Sequence, residues 1–259
     1  MELSEILSLF DQEQRRNMEY PDMQKEVTPH VVRFIRPLPG RSIILHSNLD
    51  ENNAEAVIAE QIEYFTSRGL NWDWKTYDHD TPADLPERLA ARGFEPDDVE
   101  AVMVLEITEA PPDLLRPPFI QLRQVKDSAG LQDVIQVMEK VWGGNFSWMT
   151  GRLGAHLQIP GYLSVYVADV GGQPACAGWT YFPPHSQFAS LWGGSTIPEM
   201  RKRGLYQAVL AARVQEARQR GRRFLFLDAS PMSKPIVAKH GFRLLTTTQS
   251  FGWPQEVKP

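Results

Sequence analysis

The feature that most constrains this chain is a short basic turn, containing a glycine, that joins an apolar run to an amphipathic helix. Residues 188–197 form the apolar run and have the length and composition of a strand. Apolar side chains then recur at helical spacing from Leu205 as far as Gly221. Between them, residues 201–204 read Arg-Lys-Arg-Gly. The sequence therefore predicts a strand that aims the amino-terminus of a helix at solvent.

A turn of this kind can bind phosphate. The amides of the first helical turn have no partner inside the helix and lie at the positive end of the helix dipole. A pyrophosphate placed there meets several donors at once, and Gly204 lets it approach the backbone closely. A solvated basic turn gives the same short pattern, so both interpretations stay open on these residues alone.

Two segments resemble motifs of the GCN5-related N-acetyltransferases (GNAT). Residues 201–206 read Arg-Lys-Arg-Gly-Leu-Tyr, similar to motif A, Gln/Arg-x-x-Gly-x-Gly/Ala, with Tyr206 departing at the last position. Residues 230–242 resemble motif B and share its Gly-Phe ending. Many members carry, four residues before that glycine, a tyrosine that protonates the departing thiolate. This chain has Val237 there, so no tyrosine acid is assigned at that position.

The resemblance covers about residues 119–253 and implies an α/β (α+β) acyl-CoA N-acyltransferase fold, a mixed central sheet flanked by helices. The hydrophobic pattern supplies the expected order of elements. Strands are predicted over 119–125, 163–170, 174–182, 188–197 and 223–230, and helices over 131–141, 205–221 and 233–241. Gly171-Gly172 is a two-residue turn suited to a hairpin.

The first half of the chain repeats part of this order. We predict a helix over 54–68, a strand over 71–77, a helix over 82–92 and a strand over 99–107. Gly69 and Gly93-Phe94 stand where Gly221 and Gly241-Phe242 stand in the second half. The fold is therefore predicted to be duplicated, although a generic alternation of helices and strands gives similar spacings.

The predicted domains are a degenerate acetyltransferase-like copy at 1–109, a proline-rich linker at 110–118 and an N-acetyltransferase domain at 119–259. The first copy is expected to lack the opening strand and the hairpin. Its equivalent of the basic turn, residues 48–53, carries two carboxylates and neither Gly nor Arg, so it would repel a pyrophosphate. One cofactor site is predicted, in the second half.

The resemblance implies acetyl-CoA as co-substrate. At the end of strand 188–197, backbone amides are expected to contact the pantetheine arm and the acetyl carbonyl, and Gly193-Gly194 eases such an approach. A purely structural bulge at this pair is the alternative. The predicted cofactor-binding residues are Gly194, Ser195, Thr196, Ile197, Arg201, Lys202, Arg203, Gly204, Leu205, Tyr206 and Ser233.

The catalytic groups are not evident. Some relatives carry a glutamate where this chain has Ser190, and Glu199 suits a surface or capping residue. His185, in a loop, and Ser233 are the remaining candidates, although a loop histidine is more often only solvated. Proton loss to water needs no dedicated base.

Several aromatics lie on elements that surround the acceptor channel in the family and suggest a bulky or apolar acceptor, with ordinary packing as the alternative: Trp142, Trp148, Trp179, Tyr181 and Trp192.

Composition favours a soluble cytoplasmic enzyme. The net charge is −5, 42% of the residues are apolar, and neither a signal sequence nor an apolar run of membrane-spanning length is present. We expect no membrane or nucleic-acid partner, and a monomer or homodimer.

Cys176 is expected in the core, and the histidines 30, 46 and 79 lack the spacing of a metal site. A solvated helix end is predicted for Arg213, Arg218, Arg220, Arg222 and Arg223.

These observations predict an N-acetyltransferase that moves the acetyl group of acetyl-CoA to a primary amine, on a small molecule or an amino-terminal group, by direct attack in a ternary complex. Two alternatives remain open. One is a non-catalytic acyl-CoA-binding sensor or interaction module, in which the cradle survives without proton transfer. The other is transfer of a longer acyl group.

Overall fold

The computed structural model describes residues 1–254 and divides into two compact units. Unit 1 contains Met1–Met103, Asp228–Pro235 and the chain from Leu244 onward, and unit 2 contains Val104–Leu227 and Ile236–Arg243. Within the described residues, no helix is both long enough and apolar enough to cross a membrane.

Helices and strands are interspersed along the chain. The helices are α1 (Leu3–Phe10), α2 (Ala54–Ser67), α3 (Leu85–Ala91), α4 (Pro112–Leu115), α5 (Leu131–Trp142), α6 (Trp148–Leu157), α7 (Leu205–Gln219) and α8 (Lys234–Ala238). The strands are β1 (Gln24–Val27), β2 (Val31–Ile35), β3 (Arg41–Ser47), β4 (Asn71–Tyr77), β5 (Glu95–Pro96), β6 (Glu100–Glu106), β7 (Leu122–Val125), β8 (Leu163–Val170), β9 (Gln173–Tyr181), β10 (Phe188–Thr196), β11 (Phe224–Ala229) and β12 (Arg243–Gly252). The predicted mixed α/β class is confirmed.

In unit 2, the strands from β7 to β10 run antiparallel to one another in chain order, and β10 then pairs in parallel with β11. The parallel step requires a crossover, which α7 supplies. The hairpin of β8 and β9 turns at Gly171 and Gly172, whose φ angles of +59° and +76° suit a two-residue turn. This hairpin was predicted and is confirmed. Strand β7 begins at Leu122, so the predicted start at Phe119 was too early.

Two apolar layers cover this sheet. On one face, α5 and α6 bury a core with β8 and β9, because the apolar residues of α5 recur at helical spacing. On the other face, Leu205 and Val209 of α7 pack against Cys176 of β9. Cys176 is therefore a core residue, as predicted, and burial raises the pKa of its thiol.

In unit 1, β1, β2 and β3 are antiparallel, and β3 pairs in parallel with β4 through the crossover helix α2. Strand β12, the last of the described chain, runs antiparallel to β4 and also carries the short β5. The core contains the fully buried aromatics Phe65, Trp72 and Trp74. The expectation that the first half lacks a hairpin is wrong, because β2 and β3 form one.

The two units share an order of pairing, antiparallel strands followed by a parallel pair. The glycines that ended the predicted helices also agree in conformation. Gly69 and Gly221 have φ angles of +61° and +69°, and Gly93 and Gly241 have φ angles of +96° and +87°. Left-handed glycines close helices because they lack a β-carbon.

The segment at 110–118, predicted as a linker, packs inside unit 2. It forms the short helix α4, and Leu114 is fully buried. The side chain of Gln215 in α7 donates hydrogen bonds to the carbonyls of Leu114 and Arg116, at 3.3 and 2.7 Å. The domain boundaries at 109 and 119 stay a prediction, whereas the compact units divide the chain elsewhere and place the residues from Leu244 onward in unit 1.

Candidate active site

The basic turn lies between β10 and α7, in unit 2, as the sequence predicts. A single 3₁₀ turn, Pro198–Met200, leads out of the strand, and the three cations at 201–203 are exposed. Lys202 and Gly204 have left-handed φ angles of +61° and +77°. Two left-handed residues within three positions wind the chain tightly, so that α7 begins immediately after the turn.

The amino-terminus of α7 has free hydrogen-bonding capacity. The first intrahelical bond runs from the Ala208 amide to the Gly204 carbonyl, at 2.9 Å, and no side chain caps the helix. The amides at 205–207 precede that bond and lie at the positive end of the helix dipole. With three cations before them, they form a cradle suited to a phosphate group. We call residues 201–207 the cradle.

Gly204 is also constrained by its surroundings. A β-carbon at this position would lie 2.8 Å from the ring of Phe119, a side chain that is 78% exposed. The prediction placed Phe119 in a strand and missed its contact with the cradle. No sequence signal links two residues so far apart in the chain.

A cleft of about 510 Å³ opens beside the 3₁₀ turn that precedes the cradle. Its size is within the range of small-molecule sites. It is lined by Lys140, Gln173, Pro174, Ala175, Ile197, Glu199 and Met200. Glu199 is exposed at its rim, in keeping with the predicted surface residue.

Strand β10 bulges just before the cradle. Trp192 pairs with Trp179 and Ser195 with Ala177, so Gly193 and Gly194 together oppose Gly178 alone. Gly193 has a φ of +60°, and a β-carbon on it would lie 1.8 Å from the Trp179 ring. The bulge breaks the regular ladder and leaves backbone groups available to a ligand. A bulge at this glycine pair was one of the two alternatives that the sequence left open.

Two side chains of α7 pack against the bulge from one face of the sheet. A β-carbon on Gly194 would lie 2.9 Å from the Tyr206 ring, and one on Gly178 would lie 2.9 Å from the Arg213 guanidinium. Arg213 donates a hydrogen bond to the Trp192 carbonyl at 3.3 Å. Burial raises the pKa of the Tyr206 phenol and lowers that of Arg213.

The expectation that Arg213 belongs to a solvated helix end is wrong, since only 1% of this residue is exposed. Its position on the inner face of α7 follows from its spacing of four residues from Val209, whose carbonyl accepts a hydrogen bond from its Nε atom. The remaining arginines of that group lie near the surface. Arg220, for example, donates to the Gly161 carbonyl at 2.7 Å and to Glu216 at 2.6 Å.

Indole rings flank the bulge on the other face of the sheet. The Trp142 indole nitrogen donates to the Ser195 hydroxyl at 2.9 Å, and that of Trp192 donates to the Ser190 hydroxyl at 3.0 Å. Trp142 and Trp192 are 56% and 51% exposed. Trp179 is buried and serves the core, so the five aromatics singled out in the sequence divide between surface and packing.

The two sequence candidates for catalysis belong to different elements of the fold. His185 is exposed in a turn, with a φ of +57°. Ser233 belongs to unit 1, where its hydroxyl is 3.0 Å from that of Ser230. Val237, which stands where the resemblance implies a tyrosine, is fully buried.

The equivalent turn of unit 1, before α2, differs in its hydrogen bonding. One carboxylate oxygen of Asp50 accepts hydrogen bonds from the amides of Asn52 and Asn53, at 2.8 and 2.9 Å. The Asn53 side chain accepts one from the Asp50 amide in return, at 2.9 Å. These donors are occupied and a negative charge lies among them, so this turn does not suit an anion.

Comparisons with solved structures extend over nearly the whole chain. A GCN5-related N-acetyltransferase from Kribbella flavida superposes with a TM-score of 0.70, at 14% identity, over 98% of this chain and 96% of its own. The chain has the GCN5-related N-acetyltransferase fold. No family model and no curated protein matches it.

Other proteins of the GNAT fold are similar over most of their length. A tandem GNAT protein from the clavulanic acid biosynthesis pathway, solved without AcCoA, gives a TM-score of 0.63 at 11% identity, over 99% of this chain and 89% of its own. A GCN5-related N-acetyltransferase from Sphaerobacter thermophilus gives a TM-score of 0.59 at 13% identity, over 89% of this chain and 78% of its own. At these identities the likeness establishes the GNAT fold, and the activity must be argued from the site.

Proposed function

We propose that this protein transfers the acetyl group of acetyl-CoA to a primary amine, on a small molecule or an amino-terminal group, by direct attack in a ternary complex. The observation that carries the proposal is the cradle, in which uncapped amides of α7 follow three exposed cations and the left-handed Gly204. Helix dipole, amide donors and cations all favour a pyrophosphate there. The fold supports the same assignment.

The bulge of β10 supports the placement of the reacting end of the co-substrate. Bulges expose backbone amides that the ladder would otherwise occupy. We assign the amides around Gly193–Gly194 to the pantetheine arm and the thioester oxygen, where backbone donors stabilise the negative charge that develops during attack. The predicted binding residues from Gly194 to Tyr206 all lie in unit 2, whereas Ser233 lies in unit 1.

The exposed indoles of Trp142 and Trp192 support an acceptor with an aromatic or apolar portion. Each indole is fixed by a hydrogen bond to a serine of β10, so its apolar face is held at the surface at little further entropic cost. An indole face also attracts a cationic ammonium group.

We further propose that unit 1 is a diverged copy that binds no acetyl-CoA. The shared order of strand pairing and the matched left-handed glycines support a duplication. The carboxylate of Asp50 at the turn before α2 supports the loss of the second site.

Calorimetric titration with acetyl-CoA tests the proposal. We expect one molecule bound per chain and a large loss of affinity in Arg203→Glu, because the substitution places a carboxylate beside the pyrophosphate. Arg218→Glu is the matched control, since it makes the same charge change at the exposed far end of α7 and should retain affinity.

Equal affinities in the two variants would contradict the cradle, and two molecules per chain would contradict the loss of the second site. An amine panel then separates transfer from binding. Tight binding without acetylation of any amine would identify an acyl-CoA sensor instead of an enzyme.

A further inference from the structure

Unit 2 contains a pair of ionisable side chains to which the proposed site gives no role. The Nδ1 atom of His156 and the phenol oxygen of Tyr181 are 3.0 Å apart. His156 lies on α6 and is only 2% exposed, whereas Tyr181 is half-buried at the end of β9. A phenol can both donate and accept a hydrogen bond, and an imidazole nitrogen can take up its proton. Such a pair can relay a proton.

The register of the sheet places this pair beside the bulge. Tyr181 pairs with Ser190, and Trp179 with Trp192. Because alternate residues of a strand share a face, the side chains of Tyr181, Ser190 and Trp192 project from the same side of the sheet. The rings of Tyr181 and Trp192 are 6.4 Å apart, edge to face. The phenol therefore lies next to the exposed indole that we assign to the acceptor.

Aromatic and apolar groups lie beside the pair, together with the hydroxyl-bearing Ser190 opposite Tyr181. The Tyr162 ring lies 5.4 Å from the imidazole and 5.3 Å from the Tyr181 ring. On β8, Leu163 is the residue opposite Tyr181. Helix α5 contributes apolar side chains to the core cluster against which Tyr181 packs. In such surroundings a hydrogen bond is stronger than in water.

We propose that Tyr181 and His156 remove the proton from the acceptor amine, an inference that rests on the acetyl transfer proposed above. The alkylammonium gives one N–H proton to the phenol oxygen, while the phenol proton moves to Nδ1 of His156. The resting imidazole then carries its own proton on Nε2, a tautomer assigned from this role.

The remaining steps of the transfer need no further side chain. The neutral amine nitrogen bonds to the acetyl carbon, and the bond between that carbon and sulfur breaks. The nitrogen loses a second proton, which goes to the CoA thiolate. The products are the amide and CoA thiol, and the imidazolium of His156 returns its proton to solvent through the phenol.

The test is the pH profile of kcat/KM for the acetylation of an amine found in the panel. Tyr181→Phe keeps the ring and removes the hydroxyl. At pH 7 we expect kcat/KM to fall about 100- to 10,000-fold. The loss should shrink as the pH rises toward the pKa of the acceptor ammonium, because a neutral amine needs no base. Acetyl-CoA affinity should be unchanged, and His156→Asn should act in the same direction.

Tyr166→Phe is the matched control. Tyr166 lies on β8 opposite Gly178, on the other face of the same sheet, and burial raises the pKa of its phenol to about 12. This variant should keep the wild-type profile. A wild-type profile in Tyr181→Phe, or a loss equal at every pH, would overturn the proton relay alone. Binding of acetyl-CoA without acetylation of any amine would overturn both proposals.

Discussion

Gly193 shows how much of the candidate site depends on one residue. Its φ of +60° is unfavourable for any side chain, and the Trp179 ring occupies the position of a β-carbon. We expect Gly193→Ala to lower the free energy of unfolding by about 2–5 kcal/mol, from backbone strain and overpacking together. Urea denaturation measures this change.

Gly171→Ala separates the two causes. Gly171 has nearly the same φ, +59°, but a β-carbon there would meet no atom within 4 Å. In this control the free energy of unfolding should fall by only about 1–2 kcal/mol, because only the backbone conformation is unfavourable. Equal losses in the two variants would mean that the Trp179 ring moves aside freely.

At the same scale, the sequence predicted residues whose role is local and missed those whose role depends on tertiary contacts. The cradle lies within one continuous segment, so its residue types and spacing predict the turn between β10 and α7, and its binding role stays a prediction. Arg213 was misplaced because charge alone suggested solvent, whereas its helical position turns it inward. The pair of His156 and Tyr181 comes from different elements, and no spacing in the chain brings them together.

At the scale of elements, α4 is an integral part of unit 2. Leu114 is fully buried, and Gln215 of α7 donates to the carbonyls of this helix. We expect Leu114→Ala to lower the free energy of unfolding by about 2–5 kcal/mol, as deletion of a buried leucine side chain does elsewhere. The measurement is again urea denaturation.

The neighbouring Asp113→Ala is the control for that prediction. Asp113 is exposed and accepts a hydrogen bond from Gln207, so its loss should cost less than about 1 kcal/mol. Similar small losses in both variants would show that the segment behaves as a linker. Four prolines in nine residues suggested that role, yet proline is also compatible with the first turn of a helix, where Pro112 stands.

Elements with a strong local pattern were predicted well. The turn residues Gly171-Gly172 between two apolar runs predict the hairpin of β8 and β9. The helical spacing of its apolar residues predicts α5. The strands of the first 50 residues were missed. Strand β1 is polar and partly exposed, so its sequence carries little alternation, and its pairing with β2 decides its conformation.

At the scale of the whole molecule, unit 1 depends on a strand from the opposite end of the chain. Five residues of β12, from Thr248 to Gly252, pair with β4. We expect the isolated fragment 1–109 to lack a cooperative unfolding transition, because its sheet would expose the unpaired edge of β4. Thermal denaturation followed by circular dichroism measures this.

A peptide spanning residues 243–252 should restore a cooperative transition to that fragment, whereas a scrambled peptide should not. Cooperative unfolding of the fragment alone would show that β12 is dispensable. The sequence suggested a boundary near residue 109 because local patterns report neighbours along the chain and carry no information about a strand supplied from far away.

The placement of β12 also affects when unit 1 can fold during synthesis and where recombination can divide the chain. A ribosome synthesises residues 1–103 well before β12, so unit 1 is completed only when β12 emerges. Its early residues must therefore wait through the synthesis of nearly all of unit 2. For the same reason, recombination that exchanges the two halves at residue 109 would divide a folded unit, so the first half can be replaced only together with a matching β12.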